Sequence, residues 1–117
     1  MLSSLEDYGK IAQMILNKGQ LNNTRVLGCK KVGYMTANHI SNQVDKGDLY
    51  LPRGGYGFGL GFEVRTRSGL SPEVGSKREH AWSGWADTGF WIDPEENMNS
   101  LFMIQDVINA GLPPFPI

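Results

Sequence analysis

Residues 75–105, GSKREHAWSGWADTGFWIDPEENMNSLFMIQ, decide the fold. Runs rich in aromatic and β-branched residues follow one another with turn residues between them, which is how the short strands of a meander read. Residues 79–84 make the first strand and residues 88–93 the second. Asp93-Pro94-Glu95-Glu96-Asn97 then reverses the chain, with proline well suited to the turn. Residues 100–104, Ser-Leu-Phe-Met-Ile, are nearly all apolar, so this third strand is expected to be central in its sheet. The middle of the stretch carries the small, glycine-flanked triplet Trp82-Ser83-Gly84, with Trp85 directly behind it. The edge of that hairpin is the first place to look for chemistry.

Working upstream, residues 54–66 alternate glycine with large residues (Tyr56, Phe58, Leu60, Phe62), a period of two that predicts one further strand. A phosphate-cradling glycine loop is excluded because it would turn sharply and open a helix. Glycine inside a strand instead lets something approach the backbone closely: a helix, a neighbouring strand or a ligand. Ser4 is a good N-cap, and Leu5, Tyr8, Ile11, Ala12, Ile15 and Leu16 recur on one face, so a packing helix is predicted over 4–18. Gly19 stands where a left-handed residue ends such a helix. Residues 20–28 read as a connector with a turn at Asn22-Asn23, and a second helix is predicted over 29–38 with Val32 and Met35 inward. His39 follows as a C-terminal cap rather than a catalytic base. Residues 40–54 read as a loop with an exposed turn at Asp45-Lys46-Gly47-Asp48, residues 67–78 as a second loop, and 106–110 as a helical turn. Together these predict an α+β fold: an antiparallel sheet of about four strands covered by helices.

The 117 residues amount to one domain or part of one, with 40% hydrophobic and 20% charged residues. A net charge of −1, with scattered Lys and Arg, gives no footprint for nucleic acid or for an anionic membrane surface. Nothing approaches the roughly 20 apolar residues a membrane span needs. The opening MLSSLEDYGK has neither the basic nor the apolar region of a signal peptide, so a soluble cytoplasmic chain is expected, the compartment of any longer parent staying open. Cys29 is the only cysteine and reads as structural. His39 and His80 lack metal-ligand spacing, so neither a metal site nor a cofactor is expected.

Tyr56-Gly57-Phe58-Gly59-Leu60-Gly61-Phe62, Trp82-Ser83-Gly84, Phe90-Trp91-Ile92-Asp93-Pro94 and Phe102-Met103-Ile104-Gln105 resemble, in order and spacing, the C-terminal part of the serine β-lactamase family. The class C enzymes and the related family VIII carboxylesterases are the nearest in character. Leu5-Glu6-Asp7-Tyr8, residues 12–19 and Met35-Thr36-Ala37-Asn38-His39 resemble the helices before that sheet, so the resemblance spans nearly the whole chain. It implies that residues 1–117 are a single partial domain, the C-terminal portion of a serine hydrolase acting through an acyl-serine intermediate. It also implies that Trp82-Ser83-Gly84 holds the place of the family's third motif, a Lys-Thr-Gly or Trp-Gly-Gly-like triplet. Gly84 would then let the backbone approach the substrate, Ser83 would offer a hydroxyl, and the Trp85 N–H would be an oxyanion-hole donor. Trp82 cannot supply the positive charge that a β-lactam carboxylate meets in that family, which favours ester substrates. A plain sheet aromatic remains an equal reading for Trp82 and the preferred one for Trp91.

The rest of the family's equipment is missing. No Ser has a Lys three residues on, and no Tyr or Ser has an Asn two residues on, so neither the nucleophile motif nor the base motif occurs. The chain alone is therefore expected to be inactive, contributing Trp82, Ser83, Gly84 and Trp85 to a small-molecule ester or β-lactam site completed by an upstream portion. The competing readings are a non-catalytic binding or self-associating module built on an exposed sheet, and a small α+β domain with no retained function.

Overall fold

The computed structural model describes residues 2–40, 54–84 and 86–105. The expected turn at Asp45-Lys46-Gly47-Asp48, the helical turn at 106–110 and Trp85 lie outside them.

Helix α1 spans Leu5–Leu16. Ser4 caps it from extended backbone, its Oγ accepting from the Asp7 N–H at 3.1 Å. At the other end the Lys18 N–H donates to the Ile15 carbonyl and the Gly19 N–H to the Met14 carbonyl, a Schellman closure. The left-handed C′ residue expected at Gly19 is thus Lys18 (φ 54°), with Gly19 (φ 96°) one step beyond. The connector after it contains a small hairpin, β1 (Gln20–Leu21) and β2 (Thr24–Arg25), turned by Asn22 and Asn23. Both asparagines have positive φ, as a two-residue hairpin loop with right-handed twist demands.

Helix α2 is Cys29–Met35, shorter than expected, and closes at Thr36, whose hydroxyl donates to the Val32 carbonyl at 3.0 Å. Val32 is buried and Met35 packs against the same core. His39 does cap this helix: its Nε2 lies 2.6 Å from the Tyr34 carbonyl, and the two rings meet edge-on at 4.5 Å.

The main sheet has five antiparallel strands in chain order: β3 (Tyr56–Phe58), β4 (Glu63–Arg65), β5 (His80–Ser83), β6 (Gly89–Asp93) and β7 (Met98–Phe102). With the two helices this is an α+β fold. Two expectations about the strands need correction. Residues 54–66 form two strands, because the chain reverses at Gly59-Leu60-Gly61-Phe62, where the Gly59 N–H donates to the Phe62 carbonyl at 2.7 Å and Gly61 has φ 88°. The period-two alternation hides this reversal, since the glycines that continue the pattern also make the turn. Their neighbour is part of the chain itself. A Cβ on Gly57 would overlap the Asn38 side chain, and one on Gly59 would overlap the Met35 carbonyl.

The second correction concerns β7, which begins at Met98 and, among the described residues, ends the sheet instead of lying inside it. Its apolar residues divide between the two sides. Leu101 packs toward α1, while Met98, Phe102, Met103 and Ile104 are exposed.

Cross-strand register puts Val64, His80, Ile92 and Asn99 in one row. That row faces α1, where Ala12, Met14, Ile15 and Leu16 join Val32, Phe62, Val64 and Ile92 in the core, and Asn99 Nδ2 donates to Gln13 Oε1 at 3.1 Å. The next row holds Ala81, Trp91 and Ser100 on the opposite face. A buried polar cluster fixes the loop before β5. Arg65 Nη1 and Nη2 each donate to the Glu73 carbonyl at 3.1 Å, and Nη1 to the Gly75 carbonyl at 3.2 Å. Arg65 Nε donates to Tyr56 Oη at 2.9 Å, and Tyr56 Oη donates to Glu79 Oε1 at 3.2 Å. Among the described residues no helix is long and apolar enough to cross a membrane.

Candidate functional site

Strand β5 delivers Trp82 and Ser83 to the end of the sheet, opposite Phe90 and Gly89 of β6. The chain then reverses between Gly84 and Thr88. The Gly84 N–H donates to the Thr88 carbonyl at 2.7 Å, and Asp87 sits at φ 59° in the bend. Gly84 permits this tightness, since a Cβ there would stand 2.6 Å from Thr88 Oγ1.

Around this turn lies a cleft of about 530 Å³, within the roughly 300–1,000 Å³ usual for small-molecule sites. Trp82, Ser83, Gly84, Thr88 and Phe90 form its sheet side. Tyr8 comes from the second turn of α1, Leu2 and Ser3 from the segment before it, and residues 102–105 from the chain beyond β7. None of the described lining residues is charged. Tyr8 packs on Phe90 with ring centroids 5.2 Å apart, and burial pushes its phenol pKa up, which keeps the hydroxyl protonated.

Trp82 both packs within the sheet and borders the cleft. Its ring stands edge-on to Phe58 at 4.9 Å and is half-buried, yet it lines the cleft. Trp91 is outside that cleft, on the opposite face of the sheet, beside Glu73, Asp93, Glu96 and Met98. Three of the four expected site residues, Trp82, Ser83 and Gly84, therefore lie together; Trp85 is outside the described residues.

What the cleft can do chemically follows from its surroundings. Neither histidine is bonded to Ser83. His39 is held on the Tyr34 carbonyl, and His80 is buried in the core row with Nδ1 3.0 Å from the Arg78 carbonyl. His80 Nε2 has no partner among the described residues, and burial lowers the pKa of the ring, so it is neutral near pH 7. The described residues thus offer Ser83 no base and hold no group of three or more His, Cys, Asp or Glu suited to a metal. The described lining combines an apolar wall with hydroxyls at Ser83 and Thr88.

Sequence reasoning missed Tyr8 and Thr88. Tyr8 falls on the packing face of α1, and only its hydroxyl, unusual on an otherwise aliphatic stripe, could have marked it. Thr88 has no signal beyond its place before Gly89. Compared with models of known families and with curated proteins, the chain matches none.

Proposed function

We propose that this chain is one wall of a β-lactamase-related serine-hydrolase site, with Trp82-Ser83-Gly84 as the strand along which an ester substrate lies. The observation that carries the reading is the grouping of that triplet along the wall of a ligand-sized cleft. Acyl transfer needs an activated hydroxyl and donors for the developing oxyanion. The described residues supply neither base nor lysine to Ser83, so the nucleophile would come from another segment or chain carrying Ser-x-x-Lys and Tyr-x-Asn. The Trp85 N–H, expected from the family resemblance to be an oxyanion donor, belongs to the same proposal. The missing cation at Trp82 favours esters over β-lactam carboxylates.

The test is to read the coding sequence in frame upstream of Met1, express the joined protein and assay p-nitrophenyl ester hydrolysis. Turnover that depends on the upstream serine and falls with Trp82→Ala supports the reading. A frame without Ser-x-x-Lys, or turnover indifferent to Trp82→Ala and Ser83→Ala, overturns it.

A second reading, a self-associating module, is favoured by the exposed Phe102, Met103 and Ile104 at the end of β7. A stable monomer by size-exclusion chromatography at micromolar concentration counts against it.

A further inference from the structure

The cleft beside Trp82 and the groove beside Trp91 are chemical opposites. Both present a tryptophan, but Glu73, Glu79, Asp93 and Glu96 line the Trp91 groove, whereas none of the described residues lining the Trp82 cleft is charged. A charged ligand entering the Trp82 cleft would lose hydration and find no ion-pair partner among the described lining residues, a large cost. A flat, neutral ligand would meet the Trp82 and Phe90 rings and the Met103 thioether, all suited to stacking and sulfur–aromatic contact.

The polar groups in the cleft point the same way. Ser83 and Tyr8 each present a hydroxyl, and among the described residues neither side-chain oxygen has a hydrogen-bond partner. Burial is the sole influence raising the Tyr8 pKa, so its hydroxyl is a neutral donor. Such a pair can donate to or accept from a neutral ligand oxygen, and it brings no positive charge to offset the desolvation of a carboxylate.

We propose that this cleft is a binding site for neutral aryl alcohols and their esters: the aromatic ring lies against Trp82 and Met103, and the single oxygen meets Ser83 or Tyr8. The proposal deepens the reading of the Trp82 strand as a substrate wall and rests on it for the biological role of the site. Binding itself requires no catalytic partner and is measurable on the chain as it stands.

The test pairs two probes of one shape, 1-naphthol and 1-naphthoate, titrated into uniformly 15N-labelled protein at pH 7.5. The indole N–H resonances report the tryptophans separately, with Trp82 assigned through Trp82→Phe. Naphthol is expected to shift the Trp82 indole and the Tyr8 and Thr88 amides saturably in the submillimolar to millimolar range, in keeping with a ligand of its size. Naphthoate is expected to bind at least about tenfold more weakly, because its charge is desolvated unpaired. Trp82→Phe, which keeps an aromatic ring and so the fold, should weaken naphthol roughly three- to tenfold. Ser3→Lys, on an exposed position of the lining, should raise the affinity for naphthoate relative to that for naphthol.

Equal affinity for the two probes, shifts centred on Trp91 instead of Trp82, or no saturable shift with naphthol overturns the proposal. Its failure is separable from that of the hydrolase reading. Naphthol binding with no Ser-x-x-Lys upstream keeps the site and removes the enzyme, whereas ester turnover in a joined protein that ignores naphthol does the reverse.

Discussion

Replacing Arg65 with methionine should cost more stability than any other single side-chain change outside the aliphatic core. The guanidinium is 2% exposed and the Glu79 carboxyl beside it 9%, with Arg65 Nη2 3.9 Å from Glu79 Oε1. The pair itself is long, so direct Coulomb attraction is not the main term. What Arg65→Met removes is the donor to Tyr56 Oη, the bonds to the carbonyls of Glu73 and Gly75, and the positive charge near the Glu79 carboxylate. Removing one partner of a buried charged pair costs about 3–5 kcal/mol. A chain of 117 residues has a total stability on the order of 6–18 kcal/mol, so the variant loses a large share of it. In urea, with a slope of about 1–3 kcal/mol per molar, the midpoint should fall by roughly 1–5 M. The double variant Arg65→Met, Glu79→Gln should recover at least about 1 kcal/mol of the loss, because a neutral amide is cheaper than a carboxylate to keep buried beside methionine. The exposed Lys10, which meets Glu6 and Asp7 at 3.1 Å, is the control, and Lys10→Met should leave the midpoint unmoved within error. A loss under about 1 kcal/mol for Arg65→Met, or no coupling to Glu79, would refute the reasoning.

Three further predictions concern the backbone and pH. Lys18 holds a left-handed φ of 54°, so Lys18→Gly should stabilise by about 0.5–1 kcal/mol, and destabilisation in thermal melts would contradict the helix closure described above. Gly59→Ala would drive a Cβ into the Met35 carbonyl, which cannot rotate away, and should cost about 1–3 kcal/mol or more; a neutral effect would mean that α2 does not seat on this turn. Because burial lowers the pKa of His80 in the fold, the unfolded chain takes up the proton first. Its contribution is whole above the unfolded value near 6.5 and fades as pH falls through that value toward the folded one. Asp93 adds a further loss below the ordinary carboxylate range: burial alone would raise its pKa, but hydrogen bonds from Ser76 and from the Glu96 and Glu95 N–H groups outweigh it and hold it low. Denaturant titrations from pH 7.5 to 5 should therefore show stability falling in the wild type and falling less in His80→Gln, and parallel curves would sink the assignment.

Much of this architecture is legible in the residues because its signals are local. Ser4 with its aliphatic stripe marks α1, Asn22-Asn23 marks a reversal, and the aromatic runs separated by Asp93-Pro94 mark β5 to β7. What escapes is information that only tertiary pairing holds. Alternation through 56–62 cannot tell a strand from a hairpin whose turn reuses the same glycines, and the apolar run at 100–104 cannot say which of its faces is covered. The same limit applies to the cleft. Trp82-Ser83-Gly84 stands out in one dimension, but Tyr8 and Thr88 join it only through the packing of α1 on β6 and through the reversal between Gly84 and Thr88.

The proposal that Trp82-Ser83-Gly84 forms a binding wall whose serine is not activated by the described residues has one direct test. The most direct measurement is intact mass after exposure of the chain to an excess of a fluorophosphonate probe, beside the naphthol titration on the same preparation. The account predicts an unmodified mass together with a saturable shift of the Trp82 indole. A stoichiometric adduct on Ser83 would contradict it, since that requires a base which the described residues do not place beside the hydroxyl.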